Sequence, residues 1–242
     1  MVDANPSRSG ADSWRYAVLG NPIAHSRSPF IHEAFARQCG LPIRYERVLS
    51  PLDGFETTLR AFAAEGGRGV NVTVPFKFQA LDLAKRRSPR ALLAGAANIL
   101  KLDEPDGWFA DNTDGVGLVR DIERGAHRAL AGRRVLLLGG GGAAAGALGP
   151  LIAAGPAEVT LANRTRPNAQ AIATAHAAWA DRHRVTLAVT GFDDAGEAFD
   201  VVVNATSSSL AGAAVPVSER VLRPGARSEE HTSELQSRQC IS

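Results

Sequence analysis

The feature that most constrains this chain is a run of four glycines, Gly139, Gly140, Gly141 and Gly142, set between a strand pattern and a helix pattern. Val135, Leu136, Leu137 and Leu138 precede it as four consecutive apolar residues, which suits a parallel strand buried on both faces. Residues 143–154 follow as a helix of small and apolar residues. Strand, glycine turn and helix, in that order, are what a dinucleotide site needs. The tight turn requires residues without a side chain, a pyrophosphate requires close backbone approach, and a helix N-terminus offers free N–H groups to an anion. Glycines can also serve a turn alone, and it is the strand before and the helix after that point to a ligand.

At 242 residues the chain exceeds one domain of ordinary size and suits two. No apolar run reaches the roughly 18–20 residues that span a bilayer, and the first twelve residues lack the apolar stretch of a secretory signal. Cys39 and Cys240 have neither metal-ligand spacing nor the numbers for a disulfide framework, which fits a reducing compartment. A net charge of +2 names no nucleic-acid partner, and the scattered arginines read as solvated surface. The expectation is a cytoplasmic protein acting on a small molecule, monomer or homodimer, with no nucleic acid, membrane or metal as partner.

After a polar leader, short apolar strands alternate with helical stretches, the mark of an α/β architecture. Strands are predicted at 16–19, 43–49 and 69–73, and helices at 29–38, 52–64, 78–85 and 89–95. A hairpin joins 98–102 to 108–110 around Asp106-Gly107. A helix over 114–124, with Val116, Leu118, Val119 and Ile122 at helical spacing, links into a second unit. Its strands fall at 134–138, 158–162, 186–189 and 200–204. After Gly225 the pattern stops, although a doubly wound half ordinarily carries further strands.

The end of the second strand of a dinucleotide unit selects the cofactor. A carboxylate there bonds a ribose 2′-hydroxyl and repels a 2′-phosphate. Here that strand runs into Asn163, Arg164 and Thr165, and a guanidinium grips a phosphate through parallel charge-assisted bonds, which favours NADP. In the first unit, Ser26 and Ser28 stand between a strand and a helix that opens with Pro29. Ser28 suits the N-cap, Ser26 has no capping duty, and two hydroxyls beside a helix N-terminus make a carboxylate cradle. Thr73, Lys77, Asn98, Asn112 and Asp114 all fall at strand ends or just after them, the edge where open α/β sheets bind ligands. A lone lysine is usually a surface charge. One just past a strand end, with Asp114 on another strand's exit, is a candidate acid/base pair.

Together, residues 16–30 (YAVLGNPIAHSRSPF), 69–77 (GVNVTVPFK), 94–98 (AGAAN), 111–117 (DNTDGVG), 138–146 (LGGGGAAAG), 163–165 (NRT) and 204–208 (NATSS) resemble the shikimate dehydrogenase family over about residues 16–225. The resemblance implies an N-terminal α/β substrate domain (14–113) and a C-terminal NADP-binding Rossmann domain (114–226). It implies reversible reduction of 3-dehydroshikimate to shikimate with NADPH, in chorismate and aromatic amino-acid biosynthesis. By motif, Ser26 and Ser28 would hold the substrate carboxylate, Thr73, Asn98 and Asp114 would surround the ring hydroxyls, and Lys77 would be the acid/base with Asp114 as its partner. Gly139, Gly140, Gly141, Gly142 and Ala143 would cradle the pyrophosphate. Asn163, Arg164 and Thr165 would take the 2′-phosphate, with Asn204, Ala205 and Thr206 near the cofactor.

Three departures accompany the resemblance. Ala145 replaces a frequent arginine of the glycine-rich loop, Ser209 stands where a glycine is usual, and nothing past Gly225 matches. Residues 227–242 instead resemble a translated sequencing-library adapter, so the expectation is a non-native tail on an incomplete Rossmann sheet. Such a sheet would have an open apolar edge, marginal stability and weak or absent activity. The competing readings are a quinate/shikimate dehydrogenase using NAD, which Arg164 opposes, and a non-catalytic ligand-binding relative, which Lys77 with Asp114 opposes.

Overall fold

The computed structural model describes residues 13–125, 127–206 and 217–230, with 225–230 as backbone only. Two sheets organise it. The first is built from β1 (Trp14–Gly20), α1 (Ser28–Cys39), β2 (Ile43–Leu49), α2 (Phe55–Ala64), β3 (Gly67–Val72), α3 (Lys77–Leu83), β4 (Arg86–Arg87), α4 (Pro89–Ala94), β5 (Ile99–Lys101) and β6 (Phe109–Asp111). Its strand order is β2-β1-β3-β5-β6-β4. β1 runs parallel to β2 and β3, and β3, β5 and β6 are antiparallel neighbours.

The connection to the second sheet is α5 (Asp114–Arg120), continued by one π-helical turn (Asp121–Gly125) where the sequence predicts unbroken α-helix to 124. Then come β7 (Arg134–Leu138), α6 (Gly142–Ala153), β8 (Glu158–Ala162), α7 (Arg166–His183), β9 (Thr186–Thr190), β10 (Phe199–Asn204) and β11 (Leu222–Glu230). The order β11-β10-β7-β8-β9, all parallel, reverses direction between β7 and β10. Such a reversal opens a crevice at the C-terminal strand ends, the place where doubly wound sheets receive nucleotides. Here the crevice lies at Gly139 and at Ala205, whose N–H donates to the Leu138 carbonyl at 2.8 Å.

The apolar run of β7 has a direct structural cause. Val135 and Leu137 pack into a core with α6 and α7, whereas Leu136 and Leu138 pack on the opposite face with Phe199, Val202 and Ala195. Both faces of the strand are covered, so each position must be apolar, and each buried leucine contributes roughly 1.5–3 kcal/mol. A separate core, with Leu19, Phe55, Leu59, Val72 and Phe76, holds the first sheet to α2 and α3.

α6 joins the two halves through glycines. A Cβ placed on Gly142, Gly146 or Gly149 would lie 2.7 Å from Lys77 Cβ, 2.7 Å from the Asn112 amide and 2.9 Å from Leu93, respectively. One on Gly115 of α5 would lie 2.4 Å from the Gly146 carbonyl oxygen. Glycine here permits main-chain approach that any side chain would block.

Three expectations need correction. α2 starts at Phe55 rather than 52, because residues 51–54 turn, with the Gly54 N–H donating to the Pro51 carbonyl. The two-residue β4 carries no pattern of its own. The open edge expected beyond β10 is paired, with Val201 opposite residue 227 and Asn204 opposite residue 230. The register shifts by a bulge between Phe199 and Val201, at a segment containing Pro224, which an outer strand tolerates. Main-chain bonding, not side-chain periodicity, forms this strand. Residues 231–242, including Cys240, lie outside the described residues, as does Ser209.

His176 on α7 is 1% exposed, and its Nδ1–H donates to the Ile172 carbonyl at 2.9 Å. Its Nε2, aimed toward Gly149, has no partner among the described residues. Burial pushes its pKa below the ordinary value, against a smaller upward effect of the Ile172 bond. The unfolded chain therefore binds a proton near pH 6.5 that the folded chain refuses, and stability must fall as pH drops below that point. Urea unfolding between pH 7.5 and 5.5 will show this loss, and His176→Leu will flatten the slope. A slope identical in the two proteins would contradict the assignment.

Candidate active site

β3 ends at Val72, the chain turns with the Phe76 N–H donating to the Thr73 carbonyl, and α3 begins at Lys77, one residue earlier than the pattern predicts. The Lys77 carbonyl accepts the Ala97 N–H at 2.8 Å, and the Asn98 carbonyl accepts the Val72 N–H at 2.8 Å. These bonds fasten the start of α3 to the loop that carries Asn98. Asp114, 37 residues away in sequence, opens α5 just past β6. The Lys77 ammonium donates to Asp114 Oδ2 at 2.6 Å, with side-chain exposures of only 5% and 7%. Asn98 Nδ2 donates to Asp114 Oδ1 at 2.6 Å and to Thr113 Oγ1 at 3.1 Å, while its Oδ1 accepts the Thr113 N–H at 3.0 Å. Both carboxylate oxygens are thus bonded, which is the condition for burying such a pair.

The loop beneath is held by Asp111. Its Oδ1 accepts from Ser88 Oγ, Arg90 Nε and the Asn112 N–H, and Arg90 Nη2 bonds Oδ2. Burial alone would raise the Asp111 pKa, but these hydrogen bonds, Arg90 foremost, hold it below the usual carboxylate range.

Thr73 reaches the cluster's side of the sheet, where its N–H donates to the Leu19 carbonyl and its methyl would strike any Cβ on Gly20. Ser26 and Ser28 stand on the exit of β1 at the same sheet edge. The expectation that Ser28 is the N-cap is corrected by one residue of helix register. Arg27 is the N-cap, Ser28 is already helical, and Ser26 Oγ accepts the Ser28 N–H at 3.3 Å. The Ser26 carbonyl accepts from Arg47 Nε at 2.7 Å. The serine hydroxyls and the Lys77 cluster therefore share one edge, reached from different strands. Asn71, a polar residue between two valines of the central strand β3, carries no motif that singles it out in sequence. It accepts from Tyr45 Oη at 2.6 Å, and its polarity amid Val70 and Val72 was the signal.

At the switch between β7 and β10, Gly139 has φ +123, and a Cβ there would lie 2.8 Å from the Ala205 carbonyl oxygen. Asn204 Oδ1 accepts both the N–H and the hydroxyl of Thr206, closing the turn beside it. A Cβ on Gly140 would lie 2.5 Å from Asn163 Nδ2, whereas Gly141 faces open space. Gly141 is also the N-cap of α6, with Gly142 and Ala143 in the first turn, so the N–H groups of a helix start adjoin open space. Asn163 Nδ2 donates to the Thr165 carbonyl, shaping the β8 exit. Arg164 is exposed, while Arg166 is already bonded to the Val189 carbonyl and paired with Asp194.

Residues 18–100 match the model of the shikimate dehydrogenase substrate binding domain, and residues 122–224 match that of shikimate/quinate 5-dehydrogenase. The chain belongs to the shikimate dehydrogenase family. A curated relative, shikimate dehydrogenase (NADP(+)) of Methylibium petroleiphilum, is 57% identical over 218 residues, covering 88% of this chain and 74% of the relative. The Ael1 enzyme of Pseudomonas putida superposes with a TM-score of 0.73 at 45% identity, over 86% of this chain and 75% of that one. The shikimate 5-dehydrogenase of Thermus thermophilus, solved with NADP(H) and shikimate, superposes with a TM-score of 0.74 at 29% identity, over 90% of this chain and 78% of its own. Within this shikimate dehydrogenase chain, Ala145 is buried in the α6 core, so a guanidinium at that position would have to leave the packing to meet a phosphate.

The two turn glycines separate space from strain. Gly139→Ala will lose roughly 1–3 kcal/mol in denaturant unfolding, because it forces positive φ on alanine against the Ala205 carbonyl. Gly141→Ala, with φ −107 and nothing within 4 Å, will keep wild-type stability. Equal losses in the two variants would refute this geometry.

Proposed function

We propose that this chain is an NADP-dependent shikimate dehydrogenase that reversibly reduces 3-dehydroshikimate to shikimate with NADPH, in chorismate and aromatic amino-acid biosynthesis. Residues 14–113 form its substrate unit and 114–226 its cofactor unit. The observation that carries this reading is the buried Lys77, whose ammonium is bonded to Asp114 and whose methylene stem lies against Gly142 in the first turn of the glycine-led helix. An amine held on a substrate-side carboxylate, with its stem beside a nucleotide-side turn, is placed where a proton must be delivered while a carbonyl is reduced.

The cofactor half fits NADP. The open space at Gly141, the N–H groups of Gly142 and Ala143, and the closed turn at Asn204, Ala205 and Thr206 suit a pyrophosphate. The exposed guanidinium of Arg164, with Asn163 and Thr165, suits a 2′-phosphate. When bound, the reduced cofactor supplies the hydride that the C3 carbonyl carbon accepts.

The residues of the chain then handle position and proton. Ser26 and Ser28 hold the substrate carboxylate, and Thr73, Asn98 and Asp114 orient the ring hydroxyls. As the carbonyl π electrons move onto oxygen, Lys77 Nζ delivers one proton to that alkoxide. Asp114 keeps the amine directed at that atom and, with Asn98, limits its motion. In the reverse direction Lys77 takes the proton back. No helix among the described residues is long and apolar enough to cross a membrane.

Lys77→Ala will lower kcat for 3-dehydroshikimate reduction by about 10²–10⁴-fold, the usual weight of a general acid. It will also destabilise the fold by about 3–5 kcal/mol, since Asp114 is left buried without its counter-charge. Unchanged turnover would end the assignment. Arg164→Ala will remove a charge-assisted phosphate contact worth about 1.5–3 kcal/mol, which is roughly a tenfold to hundredfold rise in KM for NADPH. KM for NADH will stay as it was. An equal change with both coenzymes would place Arg164 away from the 2′-phosphate.

A further inference from the structure

Asn112 is 2% exposed and has no part in the chemistry above, yet every polar atom of its side chain is engaged. Its Oδ1 accepts the Asp114 N–H at 3.2 Å, and its Nδ2 donates to the Ala96 carbonyl at 2.9 Å. Its own N–H donates to Asp111 at 2.8 Å. Across the junction, a Cβ on Gly146 would lie 2.7 Å from both Nδ2 and Oδ1 and 3.1 Å from Cγ. The amide is clamped between the Asn98 loop, the first residue of α5 and the second turn of α6.

We propose that Asn112 is a positioning residue for the Lys77–Asp114 pair, resting on the roles given to that pair above. It sets the direction in which Asp114 presents its carboxylate, and through Gly146 it sets how closely the cofactor helix sits on that carboxylate. An Asn bonded to an N–H two residues on is also a common helix-entry device. The two roles separate chemically. Serine and aspartate can also accept an N–H two residues on, but neither supplies the Nδ2 donor to Ala96, and serine leaves the wall facing Gly146 empty.

The test uses the full chain, with shikimate titrated calorimetrically in the absence of cofactor and with steady-state reduction of 3-dehydroshikimate. Asn112→Ser is expected to unfold several degrees below wild type, because the Ala96 carbonyl loses its buried donor, and yet to stay folded at the assay temperature. It is expected to bind shikimate roughly fivefold more weakly and to lose roughly tenfold or more in kcat, as small misplacements of reacting groups do. Gly146→Ala is expected to reproduce the defect in the wild-type background and to be milder beside Asn112→Ala, where the atoms it meets are gone. Wild-type binding and turnover in Asn112→Ser, with Lys77→Ala inactive, would overturn the role of Asn112 alone. Equal Gly146→Ala effects in both backgrounds would also overturn it. If the unaltered chain bound no shikimate, or Lys77→Ala turned over normally, the reading of the site would fall and this proposal with it.

Discussion

A lysine and an aspartate buried together at 2.6 Å are the interaction on which the rest of this molecule turns. Two unit charges near 4 Å attract by roughly 4 kcal/mol at an effective dielectric of about 20. Removing each ion from water costs several kcal/mol. The balance is close to neutral, so the pair is poor cement. A lysine–aspartate contact that contributes little stability, yet has both carboxylate oxygens and a supporting asparagine in place, is explained by the acid/base role proposed for Lys77, which asks for a directed donor where water is largely excluded.

Keeping such a pair at the junction places a demand on the other half of the chain. α6 must bring its N-terminus against the stem of Lys77 without a side chain intervening, and Gly142 meets that demand because any Cβ there would lie 2.7 Å from Lys77 Cβ. The demand continues along the helix. Gly146 lies against Asn112 and Gly149 against Leu93, so one face of α6 approaches the first sheet's helices at main-chain distance. The opposite side of the same helix packs Ala144, Leu148, Leu151 and Ile152 into the core over β7. One helix therefore serves as the joint between the two units and, in the proposed reading, as nucleotide cradle beside the Lys77–Asp114 pair. Its composition of glycine, alanine and leucine follows from having no free face.

Much of this was legible in the chain itself, for identifiable reasons. β7 and β8 fall where apolar runs predict them because both faces of each are covered, and the exit of β8 at Asn163 follows from strand length alone. Lys77 and Asp114 could be placed on the exits of two strands. Their contact depends on β5 and β6 folding back beside β3, a pairing that no local pattern encodes. The second use of the glycines was hidden for a similar reason, since a turn glycine and an interface glycine are the same letter. The displacement of the N-cap from Ser28 to Arg27 is a single residue of helix register, which is below what propensity resolves. β11 escaped because an outer strand needs only main-chain partners, and its sequence carries a proline, a glycine and no alternation.

The Asp111 network shows why the loop between β6 and α5 is so densely bonded. That loop must deliver Asp114 to Lys77 across a crossing from one sheet to the other, and a chain making such a crossing is free to pivot unless it is tied. Arg90 and Ser88 tie it to α4, Asn112 ties it to Ala96, and Asn98 ties it to the strand beside β3. The first two anchors lie on α4, which also packs on α6 through Leu93 and Gly149. A tilt of the second half therefore reaches this loop by two routes, through α4 and through the direct approach of Gly146 to Asn112 and Gly115. The placement of Asp114 against Lys77 is tied to the angle between the two sheets.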